Sequence, residues 1–267
     1  GDHTQGVLIV PSHWHREIVE LRLANLITHL GLLRLKDNCL RCHGEFVTFQ
    51  DSDDWAHPQR IERQVAPLLE STDRVATNRR ALGVYEDMTS LGIGYNSFRR
   101  GEASLMIRKD VVIDAMGGFD EVRKSADTEF HERISALFEP EANYYVTDAL
   151  VLTQLTSGSL SRDEFAFGWH HGGRTAYGDS RRFFHRQIVA GREGPRIEPG
   201  APRRIPAPPR ILTGRDPDPE TCDVMVVSDW RGEIGRYHGT STVIESLVRA
   251  DLRTVVAQGT AVRHSDR

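Results

Sequence analysis

Residues 45–55, Glu-Phe-Val-Thr-Phe-Gln-Asp-Ser-Asp-Asp-Trp, constrain this chain most: an apolar run from Phe46 to Phe49 stops in three carboxylates within four positions, Asp51, Asp53 and Asp54. An apolar run of this length between polar residues predicts a buried strand. Like charges at such a strand end repel, and each desolvated ion costs several kcal/mol. A positive partner is therefore expected there, and a divalent cation carrying phosphates suits the pattern. The other reading of the same residues is a solvated acidic turn that caps a helix.

The rest of the chain alternates strand and helix patterns. A short strand is predicted over 7–10 and a helix over 16–33. After the acidic stretch, Pro58 sits where the first turn of a helix tolerates it, and Ile61, Val65, Leu68 and Leu69 form one buried stripe. Strands are predicted over 74–77 and 104–108, separated by a loop over 86–102. A helix over 109–116 stops at Gly117-Gly118. A helix over 128–138, a strand over 143–155 and a helical stretch over 159–190 follow. Residues 194–219 are Pro-rich without helical period, which predicts a stiff linker. Beyond it, a strand over 222–229, a helix over 242–249 and a strand over 253–258 open a second α/β unit. The expected division is therefore 1–193, the linker 194–219, and 220–267 as the start of a Rossmann-like domain too short for a full core.

Composition narrows the classes. With a formal net charge of −4 over 267 residues, no global basic field directs the chain to nucleic acid. No apolar run reaches the length of a transmembrane helix. Three cysteines make no disulfide framework, which suggests a reducing compartment and a cytoplasmic location, at the inner face of a membrane if the chain associates with one. The N-terminus shows no signal pattern and no initiator Met, and reads as a fragment. Cys39-Leu-Arg-Cys42-His43 matches the pattern of covalent haem attachment, so a c-type haem protein is a distant alternative.

Alternating strands and helices predict an α/β sheet, in which ligands bind at the carboxyl ends of strands. Phe49-Gln50-Asp51-Ser52-Asp53-Asp54-Trp55 with His57-Pro58 resembles the D-x-D region of glycosyltransferase family 2, which has the GT-A fold. Ala103-Ser104-Leu105-Met106-Ile107-Arg108, followed by Gly117-Gly118-Phe119-Asp120, resembles that family's acceptor-side strand and G-G-F-D turn. Ser125-Ala126-Asp127-Thr128-Glu129-Phe130 with Arg133 resembles the segment that supplies the base. The likeness spans roughly 38–190. It departs from the pattern in 1–44, where the first nucleotide-binding strands are shortened or altered, and at Ala126, where the family often has Glu. The opening of the second unit, Asp223 to Asp229 with Trp230-Arg231, is similar to the first strand of a GT-B type glycosyltransferase.

The resemblance implies a GT-A type domain with a mixed central sheet flanked by helices. It implies transfer of a sugar from a nucleotide-sugar donor, a UDP-sugar above all, to a glycan or other acceptor hydroxyl. Inversion at the anomeric carbon and a place in polysaccharide or glycoconjugate synthesis follow from it. A divalent cation would stabilise the departing diphosphate, and oxygen ligands suit Mn²⁺ or Mg²⁺. Asp53 is then the main metal ligand and Asp51 contacts the metal or the ribose. Asp54 shapes the donor-side turn, Trp55 lies under the sugar, and Arg133 belongs with the donor-binding residues. Asp127 is the expected general base, with Glu129 in reserve; its alternative is a plain helix cap. His185 is expected as the late histidine that reaches the metal or diphosphate. The competing reading is an inactive nucleotide-sugar-binding or scaffold fragment.

Overall fold

The computed structural model describes residues 5–10, 24–25, 44–51, 54–90, 98–101, 104–155, 165–166, 169–215, 222–228 and 238–258. The predicted helix over 16–33 lies outside them apart from 24–25, as do Asp53 and the Cys39, Cys42, His43 group. The chain divides into two units. The first takes Gly1–Glu121, Ser125–Ser159 and His185–Arg204; the second takes Val122–Lys124, Leu160–Phe184 and Ile205–Arg267.

The first unit carries, in order, β1 (Gln5–Val10), β2 (Ala24–Asn25), β3 (Phe46–Asp51), β4 (Trp55–Ala56) and α1 (Arg60–Glu70). It continues with β5 (Ala76–Val84), β6 (Phe98–Arg100), β7 (Met106–Arg108), α2 (Lys109–Met116), α3 (Ala126–Leu137) and β8 (Asn143–Gln154). The strands form one sheet in the order β2-β1-β3-β7-β5-β8-β4, with β6 beside β5. Pairing is antiparallel except between β5 and β8, so the fold is α/β with a mixed sheet.

Period-two alternation decides what each face meets. From β3, Phe46 packs with Val65, Leu68 and Met106 in a core cluster under α1, with Ile61 against it. Thr48 and Gln50 accept hydrogen bonds from Arg60 on α1. Phe49 points the other way and meets Phe119 edge-on at 5.4 Å. Phe119 in turn stacks on Phe130 of α3 at 4.2 Å. Helices therefore flank both faces, α1 on one and α3 on the other.

β5 extends well beyond the strand predicted over 74–77. Past Thr77, where the predicted strand stops, Asn78 and Arg79 are buried: Asn78 Nδ2 meets His131 Nε2, and Arg79 donates to the Arg80 carbonyl and the Ser104 hydroxyl. The predicted loop over 86–102 contributes β6 to the sheet.

Residues 194–204, expected as linker, pack onto the first unit. Ile197 N donates to Met116 O, and Gly118 N donates to Ile197 O, both at 2.9 Å. The apolar residue decides this, because burying Ile197 overrides the Pro-rich composition.

The second unit includes the two-stranded β9 (Phe165–Ala166) and β10 (Trp169–His170), within the stretch predicted as helical over 159–190. Helix α4 (Gly172–Val189) starts only after them, and its residues from His185 on belong to the first unit. Then come α5 (Pro209–Thr213), β11 (Val224–Ser228), α6 (His238–Arg249) and β12 (Thr254–Gln258). β11 and β12 pair in parallel, with α6 between them in sequence, as the strand-helix-strand pattern predicts.

Candidate functional site

The acidic turn closes β3. Asp51 is its last residue and is half-buried. Gln50 Nε2 donates to the carbonyls of Asp51 at 3.1 Å and Asp54 at 3.0 Å, which clamps the turn from within. Asp54 is tied across to β8: its carboxylate accepts from the Thr153 hydroxyl and the Gln154 amide, each at 3.3 Å. Trp55 is 55% exposed on the edge strand β4 and stands edge-on to His57 at 6.2 Å.

Beneath the turn lie two guanidinium groups that the sequence reading missed. Arg60, 2% exposed, donates to Gln64 Oε1, Gln50 Oε1, Thr48 Oγ1, Phe49 O and Ser104 O, all neutral acceptors. Arg79, 1% exposed, donates to the Arg80 carbonyl at 2.9 Å and to the Ser104 hydroxyl, while its Nε has no hydrogen-bond partner. Burial pulls Arg60 down to about 10, against the raising effect of Asp54 and Asp51. Burial, and then the Arg60 charge, pull Arg79 down to about 9, while Asp54, Tyr145 and Asp51 oppose. The acidic turn thus has protein cations as electrostatic partners. Arg60 and Gln64 fall on the same helical stripe as Leu68, so polar residues at buried spacing were the legible signal. Arg79 gave none.

On the opposite face, Gly117 turns the chain out of α2 with φ 67°. Asp120, the last residue of the G-G-F-D turn, is 4% exposed and accepts from Arg203 Nη1 at 2.7 Å. Asp127 lies in the first turn of α3, half-buried, and its carboxylate accepts from the Thr128 hydroxyl at 3.4 Å. The N-cap position is Ser125, so Asp127 is not the cap residue.

Glu129, on the same helix, is fully buried. Arg133 and His185 meet its carboxylate, Arg133 Nε at 2.9 Å and His185 Nε2 at 3.1 Å from Oε1. Burial raises the Glu129 pKa, but Arg133 and His185 outweigh it and hold the carboxyl below its usual range. Arg133 also donates to the carbonyls of Met116 at 2.8 Å, Gly118 at 2.7 Å and Pro195 at 2.9 Å. His185 Nδ1 faces Glu132 at 3.9 Å. The structure therefore gathers Glu129, Arg133 and His185 into one buried network, and places Asp51, Asp54 and Trp55 at the turn beyond β3.

Among the described residues, no group of three His, Cys, Asp or Glu side chains converges to hold a metal. His185 lies on Glu129 and Asp54 on β8, and the Asp51 carboxylate stands at the end of β3. An oxygen donor of this kind suits a hard cation such as Mg²⁺ or Mn²⁺.

Among the described residues, no helix is long and apolar enough to cross a membrane. No family model matches the chain, and no curated protein matches it.

Proposed function

We propose that the chain is a metal-dependent glycosyltransferase of GT-A type, moving a sugar from a nucleotide-sugar to an acceptor hydroxyl with inversion. One observation carries the reading. Phe49, two residues before Asp51, touches Phe119 of the G-G-F-D turn, which stacks on Phe130, three residues after Asp127. The three segments that resemble the family are thus packed against one another through a single aromatic chain.

In this reading Asp51 and Asp53 would hold Mn²⁺ or Mg²⁺, which would supply Lewis-acid stabilisation to the departing diphosphate. Trp55 offers its exposed ring to the apolar face of the donor sugar. Asp127 takes the proton from the acceptor hydroxyl as the new bond forms. Asp54, with Gln50 and Arg60, keeps the turn in shape. Glu129, Arg133 and His185 support α3 from inside, a role their burial favours over contact with substrate.

The test is turnover of UDP-sugars with Mn²⁺ by wild type, Asp53→Ala and Asp127→Asn. Wild type should transfer or hydrolyse the donor, and each variant should lose at least about a hundredfold in kcat, the usual scale for a base or an electrostatic group. If wild type is inert while UDP with Mn²⁺ still raises its Tm, the chain is a binding module and the enzyme reading fails.

A further inference from the structure

Residues 193–204 carry the composition of a spacer but attach repeatedly to one short turn. The Ile197 backbone pairs with Met116 O and Gly118 N. Arg196 donates to the carbonyls of Ile113 and Asp114 at the end of α2. Gly200 N donates to Glu121 Oε1 at 3.1 Å. Arg203 spans two acceptors, the Asp120 carboxylate and the Glu121 carbonyl. Arg133 reaches the same segment from behind through Pro195 O.

We propose that residues 193–204 are a strap that holds the G-G-F-D turn in place, and that Arg203 is a positioning residue acting through Asp120. A carboxylate as buried as Asp120 requires cationic compensation, and Arg203 brings it from 83 positions along the chain. The planar fork of an arginine can serve a carboxylate and a neighbouring carbonyl together, a geometry that lysine does not reproduce. The turn it fixes precedes α3 in the chain by five residues, 121–125. Because Phe119 of that turn stacks on Phe130, displacement of the turn is felt by the helix one turn beyond Asp127. The positioning half of the proposal rests on the transferase reading; the strap does not.

The experiment uses the full chain with Arg203→Met and Arg203→Lys. Backbone hydrogen exchange is read first. In Arg203→Met, exchange should rise roughly tenfold in 117–121 and 196–200, while β5 stays within about twofold. Unchanged exchange in both segments overturns the strap. With UDP-glucose and Mn²⁺, Arg203→Met should lower kcat roughly tenfold with donor KM within about twofold, and Arg203→Lys should recover only part of the loss. A lower Tm with unchanged kcat per folded molecule overturns the positioning role. An inert wild type removes the transferase reading and that role together, and the exchange result still decides the strap.

Discussion

His185 Nε2 lies 3.1 Å from Glu129 Oε1, the same oxygen that Arg133 Nε approaches at 2.9 Å. Glu129→Gln keeps the volume but leaves Arg133 buried without its counter-ion, so it should cost about 3–5 kcal/mol. The folded carboxyl holds its proton less tightly than the unfolded one. Its stabilisation is therefore complete above the unfolded pKa of about 4.3 and is lost as pH falls through the folded value. Urea midpoints measured from neutral to acid pH should fall more steeply below about pH 4.5 for wild type than for the variant. Parallel curves would sink this account.

Arg60 and Arg79 should respond oppositely to replacement by methionine. Arg60→Met strands several buried acceptors and should cost roughly 3 kcal/mol. Arg79→Met removes a desolvated charge with few bonds to lose, and should be neutral or stabilising by about 1–4 kcal/mol at pH 7. Arg79 is depressed to about 9, so the unfolded chain binds more protons above that pH and wild-type stability rises there. The advantage of Arg79→Met should accordingly shrink between pH 8 and pH 10, read from denaturant midpoints. A constant difference contradicts it.

Gly117→Ala should be severe. The position has φ 67°, and an added Cβ would lie 2.3 Å from the Ile197 carbonyl oxygen. Both the backbone conformation and the strap would have to yield, at a cost of about 2 kcal/mol or more. Chemical denaturation checks the size, and a change under about 0.5 kcal/mol, the range of ordinary surface substitutions, refutes the close approach.

Trp55→Ala separates stability from recognition. An indole 55% exposed on an edge strand contributes little to folding, so the stability change should stay within about 0.5 kcal/mol. Donor KM should nevertheless rise roughly tenfold, the scale of a lost aromatic contact. Unchanged KM removes Trp55 from the sugar site.

Apolar periodicity made the elements legible. The Ile61, Val65, Leu68 stripe marks a helix, which the structure runs over Arg60–Glu70, and the Phe46–Phe49 run marks a strand, which it runs over Phe46–Asp51. Periodicity fails where polar residues are buried. Nothing local marks Asn78 and Arg79 as strand residues, because their partners, His131 and Ser104, come from distant parts of the chain. The same cause hid the inward role of Glu129 and Arg133. A carboxylate and a guanidinium four positions apart look like a solvated helix pair until the surrounding packing is known. The strap was obscured by composition, since Pro and Gly report local stiffness but not attachment.

The distance along the chain between Asp120 and Arg203 sets an order of events during synthesis. The 83 positions that separate them take about 4–17 s to translate at the usual 5–20 residues per second. Until then the nascent sheet, with its G-G-F-D turn already made, lacks the guanidinium that neutralises Asp120. The Arg203 bond to that turn can form only after those residues are made, and a chain released before Arg203 would carry the motif without it.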